Sequence, residues 1–159
     1  MNTSLAKVTP PSADLTAIGQ ARRDVQRALA KADRRRLTDA IREFAAYIDP
    51  SGKASTRPDW AYRNMTAMIY RPAQLNALQR RANAAGENAR DALSESELEF
   101  LRVAERTTAD LFRLGMAEKR SRKAIKADVR VHVERLAKAM QPSLKLAERH
   151  AAAVAEDLA

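Results

Sequence analysis

Arg23, Arg27, Lys31 and Arg34 follow one another at spacings of four, four and three, so a helix through them puts four cations on one line. A guanidinium forks onto two oxygens of a phosphate or a carboxylate, and this line covers ~16 Å of helix, the length of several phosphates. Lys119, Arg122, Lys123, Lys126 and Arg130 repeat the arrangement, with no acidic residue between Lys119 and Ala127. The chemistry such lines offer is electrostatic. They suit a nucleic-acid backbone or an acidic protein surface, and they break no bonds.

Little else in the chain could act on a substrate. There is no cysteine, which excludes disulfides, thiol catalysis and zinc thiolates. Of the two histidines, His132 lies one helical turn from Asp128, yet no second histidine and no Glu-x-x-His pair stands nearby. His132 is therefore expected at the edge of an apolar face, and no metal or other cofactor is assigned. Gly52-Lys53 fails as a phosphate loop, because Tyr47 stands where the motif needs glycine and Ala54 where it needs Ser or Thr. No serine has a nucleophile-elbow context. The chain reads as non-enzymatic, with no catalytic residue. Tyr47, Trp60, Tyr62 and Tyr70 gather every Tyr and Trp around the 49–58 loop. They either close the end of a core or anchor a partner, including a stacked base.

The elements that position these residues are helices. Apolar residues are 45% of the 159, aromatics only 4%, and four glycines and six prolines leave few breaks. The expected fold is an all-α, elongated bundle of four to six helices. Residues 1–11 read as a polar arm, 12–141 as the bundle and 142–159 as a C-terminal amphipathic helix. Ser12 opens a helix with a stripe at Leu15, Ile18, Val25, Leu29 and Ala32. After Asp33–Leu37 the stripe is rotated to Leu37, Ile41, Phe44 and Ile48, which implies a bend or two helices. Asp49-Pro50-Ser51-Gly52 is a stop. A second helix runs from about Asp59 to Tyr70, and Pro72 separates it from a helical pattern over 73–93 (Leu75, Leu78, Ala82, Ala85, Ala89, Leu93) in which Gly86 permits a bend.

The spine is the run from Ser94 to Met140. Ser94 and Glu97 are spaced as a capping box, with Leu93 and Leu98 as its staple. The buried stripe reads Leu98, Leu101, Ala104, Thr108, Phe112 and Gly115, fades over Glu118–Lys123, and returns at Ile125, Val129, His132, Leu136 and Met140. A first turn rich in Arg and Lys opposes the helix dipole, so one continuous helix is expected over the two-helix alternative. Pro142 ends or kinks it. Beyond lie Leu144, Ala147, Ala151, Val154 and Leu158, a narrow stripe suited to another helix or a second copy of itself.

In pieces, the segment from Leu93 resembles the LuxR-type helix-turn-helix. Leu93-Ser94-Glu95-Ser96-Glu97-Leu98-Glu99-Phe100-Leu101-Arg102 is similar to that family's opening helix, Leu114-Gly115-Met116 to a turn, and Val129-Arg130-Val131-His132-Val133 with Leu136 to its recognition helix. Gly115 stands about eight residues too far from Val129 for that pattern, and the glycine turn before its second helix is missing. No recognition role is carried over.

With 29 Lys plus Arg against 20 Asp plus Glu, the net charge is +9, and 21 of the 29 are arginine. That balance points to nucleic acid or an anionic surface as partner. The expectation is a basic helical protein that binds nucleic-acid backbone in an accessory, packaging or regulatory role. The alternative is a structural or adaptor subunit of a large assembly, such as a virion or secretion machine, whose Arg and Lys lines meet acidic protein and whose Leu144, Ala151, Val154 and Leu158 join copies. Residues 1–12 lack the apolar core of a signal peptide and no run could span a membrane, which favours the cytoplasm or a virion interior.

Overall fold

The computed structural model describes residues 12–55, 57–73, 75, 84, 86, 88, 90 and 93–157, with side chains for 16–55, 57, 59–73, 75, 84, 86, 88, 90 and 93–145. Four helices pack together, and no strand occurs among the described residues: α1 (Ser12–Ala46), α2 (Pro58–Tyr70), α3 (Glu95–Ala117) and α4 (Arg122–Asp157). The arm over 1–11, most of 76–92 and Leu158 lie outside the described residues, as do the side chains of Leu15, Ala151 and Val154.

Ion pairs fix the helix directions. Arg22 meets Glu95, Asp33 meets Arg102, Arg36 meets Asp110 and Glu43 meets Arg113, so the numbering of α1 and α3 rises together and the two are parallel. The 47–57 loop reverses α2 along α1, where Thr66 lies beside Arg34. Thr107 faces His132 at 3.0 Å, which sets α4 antiparallel to α3. Between the layers lie Leu37, Phe44, Ile69, Phe100, Leu101, Phe112, Ile125, Val129 and Val133, all fully buried. Phe44 stacks on Phe112 with ring centroids 4.6 Å apart.

Several local signals act as written. Ser94 Oγ accepts from the Glu97 amide at 3.2 Å, and the Glu97 carboxylate accepts from the Ser94 amide at 2.8 Å, completing the capping box. α1 stops at Ala46, and Gly52 takes φ 76° in the turn that follows. α2 ends at Tyr70, just before Pro72.

Other expectations are corrected. α1 is one helix through 33–37, which overturns the two-helix alternative there. Its early stripe is not core: Ile18, Val25 and Leu29 are 64%, 59% and 43% exposed. The buried face of α1 begins at Ala30 and continues through Leu37, Ala40, Ile41 and Phe44. α3 starts beside Arg22 and α2 covers only the later half, so the outer side of early α1 has no described helix to bury against. Gly86 adopts φ 71°, which no α-helix contains, so the helical pattern over 73–93 does not run unbroken through it.

The long spine is two helices. α3 ends in a Schellman motif, in which Lys119 N donates to Met116 O at 3.0 Å and Arg120 N to Gly115 O at 2.9 Å. Lys119 takes the left-handed φ of 53° that this motif demands. Leu114-Gly115-Met116 is thus the last turn of α3 and not an interhelical turn, and Val129 lies well inside α4. Gly115 lets the two helices touch, since a Cβ there would sit 2.5 Å from Ile125 Cγ1. The basic first turn of α4 is tolerated because it is capped from two sides, one local and one distant. Ser121 Oγ accepts from the Ala124 amide at 3.2 Å, and the Asp49 carboxylate, far back in the chain, accepts from the Arg122 amide at 2.9 Å. Pro142 does not end α4, which runs through it to Asp157.

Two outcomes follow. Lys119→Gly removes the left-handed penalty and stabilises the protein by about 1 kcal/mol, raising Tm by about 2–4 °C; calorimetry checks this, and an unchanged or lower Tm counts against the motif. Asp49 also accepts from Ser51 Oγ and from the Ser51 and Lys53 amides. The Ser51 hydroxyl first, then the Arg122 amide, hold its carboxyl down from 3.8 to about 2. Its contribution is therefore complete above 3.8 and is lost as pH falls toward 2. Urea unfolding across that interval should show a loss of stability in the parent that is smaller in Asp49→Asn, with the variant the less stable of the two at neutral pH.

Candidate anion-binding groove

Early α1, the residues before α3, the first turn of α3 and the middle of α4 enclose an open groove of about 950 Å³. Arg22, Arg23, Arg27 and Lys31 line it from α1, with Arg34 and Arg90 also on its wall. Glu95 and Glu99 supply the acids, and Met140 and Ser143 come from α4. Among the described lining residues cations outnumber carboxylates even with Arg34 and Arg90 paired to Glu105, which gives the groove a positive field that its low-dielectric walls focus on a bound anion.

The first cationic line is divided by its surroundings. Arg23, Arg27 and Lys31 are exposed along the groove, and Arg23 donates to Gln20 at 3.0 Å on its own helix. Arg34 turns inward. Its Nη1 donates to Glu105 Oε1 at 3.0 Å, its Nη2 reaches Thr66 Oγ1 at 3.5 Å, and its guanidinium lies 4.8 Å from the Tyr62 ring centre. Glu105 is fully buried on the core face of α3 and is shared with Arg90, whose other nitrogen donates to Ala30 O at 3.1 Å. A carboxylate taken out of water needs such partners. Arg34 and Arg90 are thus held by the core and are not spare charges. Tyr70 is buried beside them, and its burial raises the phenol pKa above the ordinary value.

The second line divides in the same way. Lys119, Lys123, Lys126 and Arg130 are exposed. Arg122 is buried, donates to the carbonyls of Phe44 and Tyr47, and lies 4.2 Å from the Phe44 ring centre. Burial lowers its pKa, and the Asp49 charge opposes that shift. The two lines do not meet in the groove, whose lining takes none of the second line.

The four aromatics separate too. Tyr70 is core, and Tyr47 is half-buried and donates its hydroxyl to Arg120 O at 2.8 Å. Trp60 and Tyr62 remain exposed on α2. Asp128 pairs with Arg120 and His132 faces Thr107, so these two side chains are each engaged away from the other. Of the expected oligomer stripe, Leu144 packs against this chain's own core.

Sequence reading missed Glu105 and Arg90. Glu105 had a signal, because it falls on the same buried face as Leu101, Thr108 and Phe112 at helical spacing. Arg90 had none, since its partners lie in α1 and α3. No protein-family model, curated protein or solved structure matches the chain.

Proposed function

We propose that this chain is a non-enzymatic protein that binds nucleic-acid backbone electrostatically, in an accessory, packaging or regulatory role, through the groove side of α1. The observation that carries the reading is the exposure of Arg23, Arg27 and Lys31 along one open groove while Arg34, the fourth of the line, is committed to Glu105. A net charge of +9 and the outward Lys123, Lys126 and Arg130 of α4 support it, the latter as a second contact that extends the footprint. A cytoplasmic or intravirion setting suits such a partner.

One observation favours the other reading, a structural or adaptor subunit of a larger assembly. Ile18, Val25 and Leu29 form an apolar line on the outer side of α1 that the described bundle leaves in solvent.

Changing Arg23, Arg27 and Lys31 together to Glu, with Arg34 left in place to keep the core intact, separates the two. Binding of a labelled random-sequence duplex should weaken steeply with salt in the parent, as displaced counterions return. The variant should keep its helical circular dichroism and lose about three units of the log–log salt slope, one per cation. Equal affinity and slope in the two proteins would remove the groove from the account.

A further inference from the structure

The nucleic-acid reading places phosphates on cations, but it does not explain the indole on α2. Trp60 is the only tryptophan in the chain and is 49% exposed, although the protein has few aromatics with which to fill a core. It stands in the first turn of α2, where its amide donates to Arg57 O at 3.1 Å and fixes the ring's base. Two guanidiniums flank it, Arg57 at 5.0 Å and Arg63 at 5.9 Å from the ring centre. The other exposed aromatic, Tyr62, already has its ring covered by Arg34, which the core holds.

We infer that Trp60, with Arg57 and Arg63, is a site for single-stranded nucleic acid, in which an unpaired base stacks on the indole and the two arginines take the flanking phosphates. The magnitudes favour that exchange. An exposed cation–π contact is worth about 0.5–1 kcal/mol, whereas a base stacked on an aromatic is worth about 1–3 kcal/mol. An incoming base therefore displaces a guanidinium from the ring, and the freed cation reaches the adjacent backbone. Bases in a duplex hide the face that stacks, so the site selects unpaired strand. Lys53 lies at the same end of the bundle, tied through Asp49 to the start of α4 and so to Lys123. Asp59 is the one acid in the first turn of α2. An acidic protein surface would need the arginines but not an exposed indole.

This site rests on the reading above, and the single tryptophan separates failure of one from failure of the other. The full chain is titrated with an end-labelled oligothymidylate of about 16 nucleotides, the upper span of a single-strand-binding fold, following tryptophan emission and label anisotropy together. Emission should fall as the site saturates, since the ring itself makes the contact. Trp60→Ala should weaken single-strand binding roughly 5- to 150-fold, Trp60→Phe should restore most of it, and duplex should leave emission unchanged. Binding seen by anisotropy with emission unaltered, or Trp60→Ala within twofold of the parent, would overturn the Trp60 site and leave the groove standing. Absence of binding to strand and duplex alike would overturn both. Polyglutamate quenching the indole as strongly as the oligonucleotide does would make this an acidic-protein site and overturn the inference.

Discussion

A single buried carboxylate organises the lower half of this bundle. Glu105 sits fully inside on α3, and a charge there persists only with counter-charges drawn to it. Its Oε1 takes both, Arg34 from α1 and Arg90 from the stretch preceding α3, while Oε2 and Thr108 Oγ1 have no partner among the described residues. Arg34 then extends to Thr66 and over Tyr62 on α2, and Arg90 to the Ala30 carbonyl. One acid thereby registers α1, α2, α3 and the segment leading into α3. Hydrophobic burial drives the packing, but it is not directional, and these hydrogen bonds select one alignment of the parallel α1–α3 pair.

The opposite end uses the same device with the signs exchanged. There the buried cation is Arg122, seated on Phe44 and bonded to the last carbonyls around the end of α1. Asp49 holds the loop and caps α4 in one position. The two ends explain why an arginine-rich chain cannot be read as a uniformly basic surface. Arg34, Arg90 and Arg122 are tied to the core, the first two by the one Glu105 oxygen and the third by the Phe44 and Tyr47 carbonyls. In the proposed function, contact with a partner rests on cations exposed outside: Arg23, Arg27 and Lys31 on the groove, Lys123, Lys126 and Arg130 on α4, and the arginines at Trp60.

Local signals were legible in the sequence because local chemistry writes them. The Ser94–Glu97 box, the stop at Asp49–Gly52, the limits of α2 and the core face from Leu101 to Phe112 all rest on contacts within a few residues. The misreadings share a cause. The Glu118–Ser121 break was hidden because the acid relieving the basic first turn of α4 is Asp49, which no local window contains. The stripe at Ile18, Val25 and Leu29 has perfect helical spacing yet faces solvent: Ile18 precedes the start of α3 beside Arg22, and at Val25 and Leu29 the buried face of α1 is another one, through Ala30 and Leu37. Arg34 and Arg122 completed cationic lines by spacing alone, and only tertiary partners distinguish them from their exposed neighbours. Pro142 shows the reverse case, a local breaker that the long α4 accommodates.

The central claim is that Glu105 holds Arg34 and Arg90 to the core and so registers the helices around it, and equilibrium urea unfolding of Glu105→Gln tests it most directly. The substitution keeps the shape and removes the charge, leaving Arg34 and Arg90 without their counter-ion. Because both arginines border the groove and can partly rehydrate, the expected loss is about 3 kcal/mol, the lower end for breaking a buried pair. A change within about 0.5 kcal/mol, the range of an ordinary surface substitution, would contradict the account.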